Sequence, residues 1–276
     1  MPDTKDFPAK LLNLPHALEA FQDLIMELGG GQPAVFLDYD GTLTDIVSNP
    51  GQAVLADPVR ESLQGLAGLT LTGIISGRDL NDVRRLVRVQ GLLFAGSHGF
   101  DLFIPGQGRL EPHPLPTSLD QAENDLRALV QDIPGILLER KRYSLAVHSR
   151  QASGENASRV QGLVHKAMNS YPHLRSFTGK KVIEIQPNVE WDKGRALLHI
   201  LELLPSNQQP LYPIYVGDDT TDETAFRAVA GMGLGICVGD EDRLTQAAYR
   251  LDNPHQVHIF LDRLSQWLAK KKPDPR

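Results

Sequence analysis

The chain has 276 residues, of which 41% are hydrophobic and 22% are charged, and its net charge is −6. This length is sufficient for one large domain or two smaller ones, and the composition is typical of a globular protein. The negative net charge gives no reason to propose nucleic acid or an anionic membrane surface as a partner.

Targeting and redox signals are sparse in the sequence. No stretch approaches the ~18 apolar residues of a membrane span, and the N-terminus lacks the apolar core of a signal peptide. The single cysteine, Cys237, has no partner for an internal disulfide and lies in an apolar run, which predicts a buried thiol without a catalytic role. We therefore expect a cytoplasmic protein without a membrane partner.

Strands and helices alternate along both ends of the chain. Residues 1–30 are predicted to form a loose arm and a helix, because apolar residues recur at helical spacing over 16–28. The patterns then predict strands at 34–37, 69–75, 91–95, 213–217 and 233–238, with helices at 58–66, 79–89, 196–204, 221–229 and 257–268. This alternation is typical of an α/β fold with a parallel sheet.

The pattern changes between residues 100 and 187. A glycine- and proline-rich start predicts a hairpin and loop, and residues 135–150 alternate as a single strand. Helices at 119–130 and 156–170 and a strand at 181–186 complete a small α+β insertion. The predicted organisation is an N-terminal arm and helix at 1–30, a core of 31–99 and 188–276, and an inserted domain at 100–187.

The first predicted strand of this core ends in two carboxylates. Asp38 and Asp40 follow residues 34–37 and precede Gly41. Ligands bind at the carboxyl ends of strands in an open parallel sheet, where two carboxylates suit Mg²⁺ and amides near a glycine can face an anion. An ordinary strand-to-turn junction is the alternative, because aspartate and glycine are common in turns.

Four groups fit phosphoryl transfer to an aspartate. Asp38 is the candidate nucleophile, and Asp40 is placed to act as general acid and then as general base. Ser76 and Lys193 can bind the transferring phosphoryl oxygens. Taken one at a time, Ser76 and Lys193 are explained better by turns or a helix start, so the prediction depends on all four together.

Further acidic residues suggest how the metal would be held. Asp218, Asp219 and Asp222 follow the predicted strand at 213–217, and with Asp38 and Asp40 they form the predicted Mg²⁺ site. Acidic residues also favour a helix N-terminus, which is the alternative explanation for this segment.

These motifs resemble those of haloacid dehalogenase (HAD) superfamily phosphatases. The matching pieces are Asp38-Tyr39-Asp40-Gly41-Thr42, Ser76, Lys193 and Gly217-Asp218-Asp219. The resemblance implies a Rossmann-like core, Mg²⁺, an aspartyl-phosphate intermediate and a C2-type cap, formed by the insertion, that closes over the site and selects the substrate.

Other motifs narrow the resemblance to the trehalose-6-phosphate phosphatases. They are Ser76-Gly77-Arg78, Gly96-Ser97-His98-Gly99, Glu139-x-Lys141-x-x-Ser144-x-x-x-His148-x-Arg150, Lys181-x-x-Glu184, Trp191-Asp192-Lys193-Gly194-x-Ala196-Leu197 and Gly217-Asp218-Asp219-x-Thr221-Asp222-Glu223. The resemblance implies hydrolysis of trehalose 6-phosphate to trehalose and inorganic phosphate, the last step of trehalose biosynthesis. It also implies substrate binding by Tyr39, Gly41, Gly77, Arg78, His98, Lys141, Ser144, Arg150 and Glu184. One departure is Ser149, which stands where an aromatic residue is usual.

The cap residues suit a sugar phosphate because they offer both donors and acceptors. Strict alternation along one strand places Ser144 and Arg150 on one face and Lys141 on the other. Lys141 then reaches the sugar only if the strand has not begun there or bulges. An ordinary charged strand face is the alternative for this set.

Two other functions stay open at this stage. A related sugar phosphatase acting on sucrose 6-phosphate, or on glucosyl- or mannosyl-3-phosphoglycerate, would keep the chemistry and change the substrate. A non-catalytic sugar-phosphate-binding module would predict a broken nucleophile or metal site, whereas Asp38, Asp40, Lys193 and Asp218 are all present. A trehalose-6-phosphate synthase partner is compatible with the resemblance but is not derivable from the residues.

Overall fold

The computed structural model describes residues 8–29, 31–47, 50–113, 117–179, 181–204 and 210–271. The chain divides into two compact units, which we call the core unit (up to Leu110 and from Trp191 onward) and the insert unit (Glu111–Glu190). No helix in the described ranges is long and apolar enough to cross a membrane.

The secondary structure is numbered in chain order. The strands are β1 (Ala9–Lys10), β2 (Gln32–Leu37), β3 (Leu71–Ile75), β4 (Leu93–Gly96), β5 (Asp101–Ile104), β6 (Gly108–Leu110), β7 (Leu137–Arg140), β8 (Leu145–His148), β9 (Leu174–Gly179), β10 (Val182–Pro187), β11 (Leu211–Gly217), β12 (Leu234–Val238), β13 (Leu244–Thr245) and β14 (Tyr249–Leu251). The helices are α1 (Phe21–Glu27), α2 (Asp57–Ala67), α3 (Leu80–Val87), α4 (Ser118–Val130), α5 (Gly154–Met168), α6 (Lys193–Leu203), α7 (Glu223–Val229) and α8 (Pro254–Lys271).

The core unit is built on one large sheet with β2 near its centre. The strand order is β14-β12-β11-β2-β3-β4-β5-β6, and the pairs from β14 to β4 are parallel. The last two pairings, of β4 with β5 and of β5 with β6, are antiparallel. The predicted α/β fold class with a parallel sheet is confirmed.

Both faces of this sheet are covered, which explains the continuous apolar runs of its central strands. In β2, Val35 and Leu37 pack in a core formed with α1, α2, α3 and α8. Ala34 and Phe36 alternate to the other face and pack against α6 and α7. Because β2 lies between β11 and β3, the residues that follow these three strands meet at one edge of the sheet.

Several element predictions differ from the structure. Residues 101–110 form β5 and β6 of the core sheet, although the sequence pattern placed them in the insertion. The unit boundaries fall after Leu110 and before Trp191, later than the predicted 99/100 and 187/188. Within the predicted N-terminal segment, Leu11 is buried and Ala9 pairs with Thr245, so residues 8–12 are not a loose arm. Residues 1–7 and 30 of that segment lie outside the described ranges.

The insert unit is an antiparallel sheet with two helices on one face. The strand order is β7-β8-β10-β9, and α4 and α5 cover the side chains of Leu145, Val147, Ile183 and Ile185. The single strand predicted at 135–150 is wrong, because the chain turns between β7 and β8 and the two strands pair with each other. The turn is closed by the amide of Lys141, which donates to the carbonyl of Ser144 at 2.9 Å.

Candidate active site

Three of the predicted catalytic and metal-binding residues lie at the carboxyl ends of three neighbouring strands. Asp38 follows β2, Ser76 follows β3 and Asp218 follows β11. The amide of Asp38 donates to the carbonyl of Val216 at 2.9 Å, which continues the β2–β11 pairing beyond the end of β2. Lys193 is the first residue of α6, a helix capped by the carboxylate of Asp192, which accepts from the amide of Arg195 at 2.9 Å.

A buried lysine connects two buried carboxylates at this edge. Lys193 Nζ lies 2.9 Å from Asp38 Oδ1 and 2.7 Å from Asp222 Oδ1, and all three side chains are almost fully buried. Burial disfavours the charged lysine, but Asp38 and Asp222 outweigh this effect and raise the Lys193 pKa above its ordinary value. Lys193 is therefore a permanent positive charge beside Asp38.

Two carboxyl groups at the site, those of Asp38 and Asp218, have a raised pKa. Burial raises the pKa of Asp38 well above its ordinary value, against the opposing charge of Lys193 and with added repulsion from Asp222 and Asp218. Burial also raises the pKa of Asp218 to about 6, with a further contribution from Asp222. A divalent cation would favour the ionised form of both carboxylates.

Asp222 is held by four donors from the protein. Its Oδ1 accepts from Lys193 Nζ and from the hydroxyl of Tyr215 at 2.6 Å, and its Oδ2 accepts from the amides of Asp218 and Asp219 at 3.0 and 2.9 Å. Both of its oxygens are therefore occupied. The structure places Asp222 behind the loop that carries Asp218, where it positions that loop and Lys193.

The donor set of this edge fits a magnesium ion. Ligand atoms of Asp38, Asp218 and Asp222 all lie within 4.8 Å of one another. Among the described residues, protein donors reach only Oδ1 of Asp38, from Lys193, and Oδ1 of Asp218, from the Thr42 hydroxyl at 3.1 Å. Each of these two carboxylates thus keeps one oxygen available, and hard oxygen ligands are those that Mg²⁺ uses.

Gly41 is required by the position of Asp218. A Cβ atom at Gly41 would lie 2.0 Å from Asp218 Oδ2, and the backbone φ of Gly41 is +82°. Both the space and the conformation therefore demand glycine. The sequence predicted Gly41 in substrate binding, and the structure adds that this glycine admits the Asp218 carboxylate.

Two of the predicted metal ligands have other partners. Asp40 accepts from Arg78 Nε and Nη2, each at 2.6 Å, and Arg78 also donates to Asp82 at 3.0 Å. Asp219 is exposed and caps the short helical turn that follows it, where it accepts from the amide and hydroxyl of Thr220. Neither side chain belongs to the cluster of Asp38, Asp218 and Asp222.

Ser76, Gly77 and His98 lie together on the β3 side of the site. Ser76 is buried, its hydroxyl accepts from the amide of Arg78 at 3.1 Å, and its carbonyl accepts from the amide of His98 at 2.9 Å. The imidazole of His98 covers Gly77 so closely that a Cβ there would lie 2.8 Å from the ring. This packing fixes the loop that carries Ser76, for which the sequence predicts contact with a phosphoryl oxygen.

The side chain of Tyr39, a residue that the resemblance placed in substrate binding, lies in the core. Its ring is fully buried in the core, and its hydroxyl donates to the carbonyl of Ala53 at 2.6 Å. Extending the alternation of β2 by two residues beyond Leu37 puts Tyr39 on the same core face as Leu37, so the signal was present in the sequence.

Three of the predicted sugar-binding residues meet in the insert unit. Ser144 Oγ donates to Glu184 Oε1 at 3.2 Å, and Lys141 Nζ lies 3.8 Å from the same oxygen. The turn between β7 and β8 brings Lys141 to the side of Ser144, which resolves the conflict that strict alternation along one strand created. We call Lys141, Ser144 and Glu184 the insert cluster.

Arg150 lies apart from the insert cluster. It follows β8 at the end opposite to Ser144, its side chain is exposed, and within the described ranges it makes no hydrogen bond or ion pair with the cluster. The predicted substrate contact of Arg150 thus has no support from the geometry of the insert unit.

Sequence reasoning missed three residues that support the site. Thr42 binds Asp218, and Tyr215 binds Asp222 from within β11. Arg243 donates to the carbonyl of Asp218 and lies 3.2 Å from Glu223. Thr42 was visible as part of the first motif, whereas nothing in the sequence around Tyr215 or Arg243 indicates these contacts.

Comparison with known proteins gives matches along most of the chain. A family model described as trehalose-phosphatase matches residues 36–255. A trehalose-phosphate phosphatase of Mycobacterium bovis is 43% identical over 269 residues, which cover 95% of this chain and 68% of that protein.

Solved structures share the fold. A trehalose-6-phosphate phosphatase related protein superposes with a TM-score of 0.73 at 24% identity, over 87% of this chain and 100% of that chain. A haloacid dehalogenase-like hydrolase from Bacteroides thetaiotaomicron gives a TM-score of 0.62 at 14% identity, over 87% of this chain and 99% of that chain. The fold is therefore that of the HAD-like proteins, as the sequence motifs predicted.

Proposed function

The chain belongs to the trehalose-phosphatase family, and on that premise we propose that it hydrolyses trehalose 6-phosphate to trehalose and inorganic phosphate. The observation that carries this proposal is Asp38, a buried carboxylate at the end of a central strand, held 2.9 Å from the ammonium group of Lys193. This reaction would be the last step of trehalose biosynthesis.

In the first step, a carboxylate oxygen of Asp38 attacks phosphorus, and the bond from phosphorus to the sugar oxygen breaks. Asp40 gives its proton to the departing sugar oxygen, which yields trehalose and phospho-Asp38. Lys193 and the hydroxyl of Ser76 bind the phosphoryl oxygens, where the positive charge of Lys193 offsets the charge that develops.

In the second step, Asp40 takes a proton from water, which attacks phosphorus and releases phosphate from Asp38. Arg78 donates to both oxygens of Asp40, so this contact must loosen before Asp40 can reach the sugar oxygen. We propose that Arg78 turns to the substrate phosphate on binding, because a guanidinium group suits phosphate as well as carboxylate.

We further propose that Mg²⁺ is the cofactor and that Asp38 and Asp218 hold it. When bound, the ion supplies positive charge that shields the Asp38 carboxylate from the phosphate dianion. Asp222, whose oxygens are occupied by protein donors, acts by positioning Asp218.

Metal affinity should depend on pH. The Asp218 carboxylate, with a pKa of about 6, must lose its proton to bind a cation, so Mg²⁺ affinity should fall as the pH drops below that value. Calorimetric titration with Mg²⁺ near pH 5 and near pH 7.5 should show a loss of about tenfold or more at the lower pH, because the pKa of the second ligand, Asp38, is raised as well. Equal affinity at both pH values would contradict the assignment, and Asp218→Asn should bind weakly at both.

We assign sugar recognition to the insert cluster, because Lys141 and Ser144 donate and Glu184 accepts hydrogen bonds of the kind that sugar hydroxyls make. Lys141→Ala and Glu184→Gln should each raise KM for trehalose 6-phosphate by about tenfold or more, with hydrolysis of p-nitrophenyl phosphate little changed. Steady-state kinetics on both substrates measure this split. Lys166→Ala, at an exposed lysine of α5, is the matched control, and equal loss on both substrates would contradict the assignment.

The proposed activity is tested by phosphate release from a panel of sugar phosphates, with Mg²⁺ and with EDTA. The panel contains trehalose 6-phosphate, sucrose 6-phosphate, glucose 6-phosphate and glucosyl-3-phosphoglycerate. A strong, Mg²⁺-dependent preference for trehalose 6-phosphate is expected. Preference for another sugar phosphate would keep the Asp38 chemistry and overturn the substrate, and no release from any of them would favour a binding module.

We also propose a cytoplasmic location, which the free thiol of Cys237 fits.

A further inference from the structure

A basic cavity lies in the core unit, far from the strand ends that carry Asp38. It measures about 750 Å³, and we call it the arginine groove; the residues of interest in its lining are Arg84, Arg85, Arg88, Phe94, Phe103 and Pro105. Phe94 is the second residue of β4, which runs parallel to β2, and the arginines lie in the last turn of α3 and directly after it, whereas the first turn of α3 follows the Ser76 loop. The groove therefore opens at the amino-terminal edge of the sheet, opposite to the candidate active site.

The charge of the groove is not neutralised by neighbouring acids. None of its lining residues is acidic. Arg85 is paired with Asp82 at 2.5 Å, but within the described part of the chain Arg84 and Arg88 lie within ion-pair distance of no carboxylate. Two guanidinium charges thus face this cavity without a counter-charge, although the whole chain is negatively charged.

Aromatic rings hold one of these arginines in place. The guanidinium carbon of Arg84 lies 3.8 Å from the ring centre of Phe103 and 6.0 Å from that of Phe94, and these two phenylalanines are cross-strand neighbours in β4 and β5. Stacking on aromatic rings orients the planar group and leaves its N–H donors at the edges free to bind. Among the described residues, Arg88 uses only its Nε as a donor, to the carbonyl of Arg85 at 3.0 Å.

A favourable interaction with the helix dipole does not account for the whole arrangement. Positive side chains stabilise the last turn of a helix such as α3 wherever they point into solvent. Here they line a concave space whose volume lies within the range of about 300–1,000 Å³ typical of small-molecule sites. The lining also includes the apolar residues Val89, Leu92 and Pro105.

We propose that the arginine groove binds a small organic diphosphate. Guanidinium groups form paired hydrogen bonds with phosphoryl oxygens, so Arg84 and Arg88 can each bind one phosphoryl group. The groove is larger than a diphosphate alone, which leaves room for the organic part of the ligand beside Pro105. This site is independent of phosphate ester hydrolysis at Asp38.

The probe for this site is inorganic pyrophosphate, titrated calorimetrically into the full chain in the presence of EDTA, which removes metal from the candidate active site. We expect the wild type to bind one equivalent and the double variant Arg84→Gln/Arg88→Gln to bind about tenfold more weakly or worse. Trehalose 6-phosphate hydrolysis with Mg²⁺ should stay unchanged in that variant. The matched control is Arg159→Gln/Arg227→Gln, which neutralises two exposed arginines elsewhere and should keep full binding.

Three results would overturn the proposal. They are the absence of pyrophosphate binding to the wild type, equal binding by the double variant, and citrate binding as tightly as pyrophosphate, since the last would mean that the groove responds to charge without preference for phosphate. Thermal unfolding of both variants verifies the fold, because exposed arginines replaced by glutamine should change stability little.

Discussion

Replacing Asp38 with asparagine should abolish turnover of trehalose 6-phosphate, with a loss of about 10⁴-fold or more in kcat. Asparagine has nearly the same shape as aspartate, but its amide oxygen is a poor nucleophile and carries no charge. The fold should survive, because Lys193 keeps its second partner, Asp222, at 2.7 Å. The neutral asparagine also avoids the cost of burying a charge, the effect that raises the pKa of Asp38.

The measurement is phosphate release at saturating Mg²⁺ and substrate, alongside thermal unfolding of the same preparation. Asp23→Asn serves as the control, since Asp23 is an exposed carboxylate of α1. Near-normal turnover by Asp38→Asn would rule out a phospho-Asp38 intermediate. An inactive variant with the unfolding midpoint of the wild type would separate chemistry from folding.

The largest loss of stability is expected from Asp222→Ala. Four donors would lose their acceptor in a fully buried place: Lys193 Nζ, the hydroxyl of Tyr215, and the amides of Asp218 and Asp219. Breaking a buried ion pair by removing one partner costs about 3–5 kcal/mol. That is a large fraction of the ~5–15 kcal/mol by which a typical protein is stable. Activity should fall as well, because Asp218 and Lys193 are no longer positioned.

Urea unfolding followed by circular dichroism measures this cost, and substitution of the nearby Asp219 is the matched control. Asp219→Ala removes an exposed carboxylate whose role is to cap the short helical turn, which is worth about 1 kcal/mol. Its unfolding midpoint should therefore lie much closer to that of the wild type. Similar midpoints for the two variants would contradict the structural role assigned to Asp222. If Asp222 were instead a direct metal ligand, its loss would matter mainly when Mg²⁺ is present.

Local patterns in the sequence were sufficient to locate the reactive edge of the sheet. Asp38, Ser76 and Asp218 each follow a buried apolar strand, and the parallel arrangement of those strands follows from their alternation with helices. Chain continuity alone therefore predicts that these side chains meet. The same patterns predicted the α/β fold and the α+β insertion.

Other features depended on residues that are distant in the sequence. The carboxylate of Asp222 resembles that of any acidic residue near Asp218, and only its contacts with α6 and β11 distinguish a loop anchor from a metal ligand. Likewise, the turn between β7 and β8 is hidden in a run that alternates without interruption, so the meeting of Lys141 with Glu184 could not be read from spacing.

The sequence by itself determined which residue types stand at each strand end, because backbone alternation and burial are local properties. The tertiary structure alone decided which donor reaches which oxygen. Lys193, Arg78 and Arg243 each meet a carboxylate or carbonyl group many residues away, and a hydrogen bond depends on a few tenths of an ångström. That precision arises from the packing of helices on both faces of the sheet, which a linear pattern does not encode.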